Sequence, residues 1–438
     1  MWNRERNRKG DRGIRDSNTT LTMEPGVRVL CLAGTNLLQY GLFSDRAVLI
    51  VNGTLNAEAA TSTNPIVFTS SASSPAARDW GTIRFNSGAG GSLKHCEINA
   101  ASHGIYTSGN NANPTIDSCA ISNNSSSGVY ANDYSAPTIS NSTITNNSSG
   151  IYTRNHAVPI VTDSIISNNS SYGIYGECCE AGGITIATST ISNNSGEGIF
   201  LYYPRRAVTI TNSTITDNSG SGIYFRDAQS GSSLTVTNNT ISNNSGTGIN
   251  IYNPQTALAF TITNNAITNN SGHGVFYYNE SIDYVSSPLP SITYNTITGN
   301  SNDGIRLENS HAVATVNYNN LYENSGSYDL YSSVTYQEID ARYNYWGLTS
   351  TAIMGIATNP KDIPRIYDYH DNVSYSLVNY AAWLEEAGGS PVQEVGTTGT
   401  AGLTNASYVA ATYYESSDTS VYMEVTDADL NTSASSAD

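Results

Sequence analysis

Five carboxylates, Asp133, Glu177, Asp227, Glu280 and Glu308, and three arginines, Arg154, Arg226 and Arg306, lie near recurring Gly-Ile-Tyr-like segments. Their types suit proton transfer. Dividing general-acid and general-base roles, however, needs two carboxyls held together in a cleft. At one repeated offset the signs alternate instead, as Arg154, Glu177, Arg226 and Glu308, a pattern expected of a solvated surface. In DADLN, Asp427, Asp429 and Asn431 stand at alternate positions, like half a calcium loop without its glycine and distal glutamate. Turn chemistry is the expectation there. Five cysteines, Cys31, Cys96, Cys119, Cys178 and Cys179, are too few and too irregular for a disulfide framework or a zinc site. Cys96 and Cys119 each precede the Ile of an aligned repeat by two residues, so either a disulfide or two packed thiols fits. No metal or cofactor site is expected.

A row of aromatic residues rises above this background. The glycines of the recurring segments are Gly104, Gly128, Gly150, Gly173, Gly198, Gly222, Gly248, Gly274 and Gly304, spaced 22 to 30 residues apart. In each segment the apolar residue points inward and the next one outward. That outward position reads Tyr106, Tyr130, Tyr152, Tyr175, Phe200, Tyr224, Asn250, Phe276, Arg306, with Tyr202, Tyr252 and Tyr278 two residues further on. A contiguous aromatic stripe marks an interaction surface. Its expected occupants are a polysaccharide, another part of the same chain, or a second subunit.

Self-similarity at this period signals a solenoid. Each unit reads as three short strands, and within each the apolar residues alternate at period two, as Ile139 between Thr138 and Ser140 and Ile144 between Thr143 and Thr145. Three strands per turn coil into a parallel β-helix around a thin core of stacked Ile and Val. Nearly every unit then carries Asn-Asn or a relative, with Asn124, Asn147, Asn169, Asn194, Asn218, Asn244 and Asn270 as second members. Asn tolerates the left-handed corner conformation, and its amide both donates and accepts. These residues predict an amide ladder running along the solenoid. A further outward row, Thr143/Thr145, Thr214/Thr216 and Thr296/Thr298, resembles the flat Thr-x-Thr arrays of ice-binding β-helices, with Asn, Ala and Ser interrupting it.

Of the 438 residues, 13% are charged, with 36 acidic against 19 basic side chains and a net charge of −17. That balance argues against nucleic acid, whose phosphates need Lys and Arg. No run approaches the ~18 apolar residues of a membrane span. An acidic, Lys-poor, Asn/Ser/Thr-rich chain suits an extracellular or cell-surface location. The start MWNRERNRKGDRGIRD is basic, but no apolar signal core follows it.

These repeats, together with TLTMEPGVRVL (20–30), VLIVNGTLNAEAATSTNPIVFTS (48–70), DWGTIRF (79–85), ARYNYWG and IPRIYDYHDN, resemble the right-handed parallel β-helix superfamily, the pectate-lyase-like solenoids of secreted and surface proteins of bacteria and archaea. LAGTNLLQYGLFSDRA (32–47) departs from the pattern. The resemblance implies an all-β right-handed parallel β-helix over 17–385, with the aromatic sheet as the usual polysaccharide face. Segment 1–16 is a basic polar lead, 386–402 a linker, and 403–438 a partial Ig-like β segment able to pack on a neighbouring subunit. The family's hydrolases carry a Gly-His-Gly and closely spaced Asp residues. Gly272-His273-Gly274 is present, but His273 fills a slot held by Ser127, Ser149, Tyr172, Glu197, Ser221 and Thr247 elsewhere, as does His103. The expected function is a non-enzymatic structural or adhesive module, self-associating or binding glycans through the stripe. The alternatives are a polysaccharide lyase or hydrolase using the same face, and an ice-binding Thr-x-Thr surface.

Overall fold

Nearly every turn of the chain lays down three short strands, each paired in parallel with its counterpart one turn away. The computed structural model describes residues 13–14, 19–33, 46–177, 183–254, 259–280, 290–309, 312–335, 337–356, 359–389, 400–404 and 422–426. Two of the parallel sheets have 14 strands and the third has 12. Sheet A holds the Gly-Ile-Tyr strands, such as Ser149–Arg154, sheet B strands such as Thr138–Ser140, and sheet C strands such as Thr143–Thr145. The expected all-β parallel solenoid is therefore the observed one. Among the described residues the one helix is Gly347–Met354, beside the C-terminal turns.

The period-two pattern sends one row of each sheet inward. Ile151, Val161 and Ile166, contributed by sheets A, B and C, are fully buried, as are their equivalents in the turns before and after. Each such side chain contributes roughly 1.5–3 kcal/mol relative to exposure. A second inward row on sheet A runs Thr107, Ala131, Thr153, Gly176 and then Leu201, Phe225, Ile251, Tyr277, Leu307. The core thus thickens along the axis, and Phe260 fills its middle between Phe225 (5.7 Å) and Tyr277 (6.0 Å).

The corner between sheets C and A divides labour within each Asn-Asn pair. The first member takes the left-handed conformation, with φ of 56° at Asn123, Asn146, Asn193, Asn243 and Asn269. The second buries its amide in the predicted ladder. Asn218 shows the pattern. Its Nδ2 donates to Asn244 Oδ1 (3.0 Å) and to the Ile191 carbonyl (3.1 Å). Its Oδ1 accepts from the backbone N–H and Nδ2 of Asn194 (3.1 and 2.9 Å). All four bonding positions are used, so the amide lies in the interior with its desolvation offset. The ladder continues past the predicted members through Asn300 and Asn324.

A second ladder occupies the corner between sheets B and C. Its backbone N–H groups donate in sequence from Cys96 to Cys119 Sγ, Cys119 to Ser142 Oγ, Ser142 to Ser164 Oγ, and onward through Ser189, Ser213 and Asn239 to Asn344. Cys96 and Cys119 are free thiols serving as ladder rungs, so of the two arrangements open to them the packed-thiol one is found. The hydrogen bond with the adjacent Cys119, together with burial, pushes the Cys96 thiol far up, which keeps it protonated.

The recurring glycines are demanded by steric closeness. A Cβ on Gly222 would lie 2.7 Å from the Gly248 carbonyl oxygen and 2.8 Å from Ile241 Cγ2. At the C-terminal end, Asp329 takes the place of the glycine, and Arg365 pairs with it at 3.0 Å. Residues Thr400–Thr404 and Tyr422–Thr426 form a separate antiparallel pair. The rest of 403–438, most of 1–16 and of the 386–402 linker, the DADLN segment and Cys178-Cys179 lie outside the described residues.

Candidate binding face

Strand register turns the predicted stripe into a straight column on the outer surface of sheet A. Tyr106, Tyr130, Tyr152, Tyr175, Phe200, Tyr224, Asn250, Phe276 and Arg306 occupy successive rungs at one position. Arg84 precedes them, and Tyr331 and Tyr367 follow. These three were not predicted. Tyr331 and Tyr367 lie beyond Gly304, where the glycine marker gives way to Asp329. The residual signal was the apolar-Tyr pair in Leu330-Tyr331 and Ile366-Tyr367.

The rings stack on one another. Centroids lie 4.7 Å apart for Tyr130–Tyr152, 5.1 Å for Tyr152–Tyr175, 5.5 Å for Tyr175–Phe200 and 4.9 Å for Phe200–Tyr224, with interplanar angles of 15° to 28°. Tyr106 is turned edge-on to Tyr130 and buried, its hydroxyl accepting from Asn132. Within the run the ring faces are therefore spent on neighbours, a favourable offset geometry, and the half-buried edges and hydroxyls form the outer surface. The second column, two residues on, carries Arg154, Glu177, Tyr202, Arg226, Tyr252, Tyr278 and Glu308. Tyr252 stacks on Tyr278 at 4.8 Å.

Arginines are woven into the aromatics. Arg84 lies over Tyr106, Arg226 over Tyr202 and Tyr252, and Arg306 over Tyr331 at 3.8 Å. Such cation–π contacts favour a planar guanidinium. Arg306 also bonds Asp303 and Glu308, and Arg226 bonds Asp227. Near the other end, the Tyr152 hydroxyl donates to the Glu177 carboxylate, and Arg154 contacts the Tyr130 hydroxyl, partly opposing the rise in that phenol's pKa caused by burial.

His103 and His273 border the same face, each accepting a backbone N–H from the next turn at Nδ1, from Ser127 (3.3 Å) and Asp303 (3.2 Å). Burial lowers both pKa values, to about 4 for His103. In each ring the Nδ1 lone pair is engaged by that backbone N–H, and the Asp303 carboxylate lies 3.6 Å from His273 Nδ1.

On sheet C, the outward row containing Thr143, Thr214 and Thr296 is broken by Ala120, Ile165, Ala266 and Asn320. Sheet B carries the more regular hydroxyl array, Thr209/Thr211, Thr235/Thr237 and Thr261/Thr263 on consecutive rungs. Among the described residues no group of three or more His, Cys, Asp or Glu side chains is placed to hold a metal ion, and no helix is long and apolar enough to cross a membrane.

Three sheets wound in parallel, buried corner ladders and one aromatic-lined outer face define a parallel β-helix. The right handed beta helix region family matches residues 66–180, 148–287 and 178–341, and the chain belongs to that family. Among solved structures it is similar to the A-module of the Azotobacter vinelandii mannuronan C-5 epimerase AlgE6, at 17% identity over 75% of this chain and 91% of that one, with a TM-score of 0.45. It is similar also to pectate lyase Pel9A (14%, 59% and 70%, TM-score 0.40) and to the periplasmic alginate epimerase AlgG (14%, 64% and 74%, TM-score 0.36). No curated protein matches the sequence.

Proposed function

We propose that this chain acts outside the cytoplasm and engages a linear polysaccharide along the outer surface of sheet A. One observation carries the reading: a column of tyrosine edges and hydroxyls, interleaved with arginines, runs along the solenoid axis from Arg84 to Tyr367. It offers a repeating donor-and-acceptor surface at the ~4.8 Å rung spacing, suited to a polymer lying lengthwise. The ring stacking stiffens that surface before any ligand arrives, which lowers the ordering cost of binding. Self-association through residues 403–438 remains a compatible use of the chain, resting on a segment mostly outside the described residues.

A catalytic use of the same face is the second reading, favoured by the Tyr152–Glu177 hydrogen bond with Arg154 on the rung before Glu177. A phenol bonded to a carboxylate can relay a proton, and a nearby guanidinium suits a uronate carboxylate. The test is retardation of the purified protein by neutral and acidic polysaccharides in affinity gels, with product analysis of the same mixtures. Wild type should be retarded by at least one polymer, and Tyr152→Ala with Tyr175→Ala should abolish it. New reducing ends or unsaturated uronates that vanish in Glu177→Gln would establish the catalytic reading. A folded wild type retarded by none of the polymers would sink both.

A further inference from the structure

At the corner between sheets B and C, one outward position takes the left-handed conformation turn after turn. It holds Asn212, Asn238 and Asn264, with φ of 50°, 59° and 54°, and then Tyr294, Tyr318 and Tyr343, with φ of 59°, 60° and 63°. Asparagine is at home there, whereas a bulky ring is an outlier. Outliers of this kind cluster where a ligand is held. Asparagine turns the same corner, so three tyrosines in succession point to a further use.

The three rings stack, with centroids 4.9 Å apart in both pairs and interplanar angles of 5° and 15°. Tyr318 has a ring on each face and is 37% exposed, while Tyr294, at the end of the stack, is 57% exposed. The difference is the second face of Tyr294, which looks along the solenoid towards the rung of Asn264. The far end is steadied by Arg342, which lies 5.6 Å from the Tyr343 centroid and bonds Asp340.

Polar groups rim the open face. Asn264, at the same position one rung away, is exposed. Thr263 and Thr293 edge the sheet B side, joined by a hydrogen bond of 3.3 Å between their hydroxyls. Residues 263–266 and 293–296, which form the corner on these two rungs, carry no charge.

We propose that the open face of Tyr294 is a stacking platform for one pyranose unit of an uncharged glycan. The sugar's C–H face lies on the ring, and its hydroxyls reach the Asn264 amide and the Thr263 hydroxyl. An apolar protein side chain would cover the ring and leave those polar groups unanswered. A uronate would bring a carboxylate to two rungs whose corner offers no cation. The platform is separate from sheet A and does not rest on the reading of that face.

NMR titration with a three-unit β-1,4-glucan, and with a three-unit α-1,4-galacturonan for comparison, tests it in wild type and in Tyr294→Asn. That variant carries the residue of the three preceding rungs, so it is expected to fold, checked by thermal unfolding. Wild type should prefer the neutral trimer. Tyr294→Asn should bind it roughly tenfold more weakly, the loss expected when a stacking ring and its contact area are removed. Retardation by long polymers, assigned to sheet A, should persist in this variant. Equal affinity of the two proteins for the neutral trimer would overturn the platform and leave sheet A untouched. A preference for the galacturonan trimer would overturn the assignment to an uncharged sugar. A folded wild type that binds no trimer, but forms a dimer that Tyr294→Asn abolishes in sedimentation, would give the ring to a second copy and overturn the platform as well.

Discussion

The side-chain amide of Asn324 donates to Asp329 Oδ1 at 3.0 Å. From Asn124 onward each amide of this ladder donates to the next turn, so the row is polarised along its length and its donor end meets a carboxylate. Arg365 in turn holds that carboxylate with two contacts of 3.0 Å. A chain of aligned hydrogen bonds strengthens when its end is charged to match.

Removing that end should be costly. Asp329→Ala takes the acceptor from the Asn324 backbone N–H and one acceptor from its side-chain amide, and leaves the Arg365 guanidinium without its anion, at about 3–5 kcal/mol. Asp329→Asn keeps an acceptor and should cost less. Because each turn of a solenoid contacts mainly its neighbours, hydrogen exchange should show lost protection near Asn300 and Asn324 and little change near Asn147. Uniform loss of protection along the whole chain would refute this local cap.

Gly222→Ala tests the closeness of the turns. The added methyl would meet the Gly248 carbonyl oxygen at 2.7 Å and Ile241 Cγ2 at 2.8 Å, both parts of the packed interior. Overpacking of this kind costs about 1–3 kcal/mol, read as a lower urea midpoint. A midpoint within a few per cent of wild type would show that the corner can yield.

His103 makes stability depend on acid. Burial lowers its pKa from 6.5 to about 4. Below 6.5 the unfolded imidazole gains a proton that the folded one refuses until about 4, so stability falls as pH drops through that window. The full loss is roughly 3 kcal/mol. Ser127 fills the same slot one turn on, so His103→Ser should fold and show a correspondingly smaller drop between pH 7 and pH 4. Identical pH profiles for the two proteins would disprove the assignment.

Much of the architecture was legible because Gly-apolar-Tyr repeats so regularly that one alignment placed core, corner and stripe together. Asn147 and Ile151 needed no structure. The second ladder escaped because its residue type changes along the axis, from Cys96 and Cys119 through Ser142 to Asn239, while the geometry of the position stays constant. Stacking was equally hidden: that Tyr152 and Tyr175 spend their faces on each other is a matter of side-chain rotation.

The ladder also bears on how such a chain can change length. A turn copied anywhere between Asn124 and Asn324 arrives with one amide that gives and receives as its parent did, so insertion or loss of whole turns leaves the joint intact. Asp329 accepts from the row and passes nothing on. It is the full stop of this ladder, and duplications are expected to fall before it.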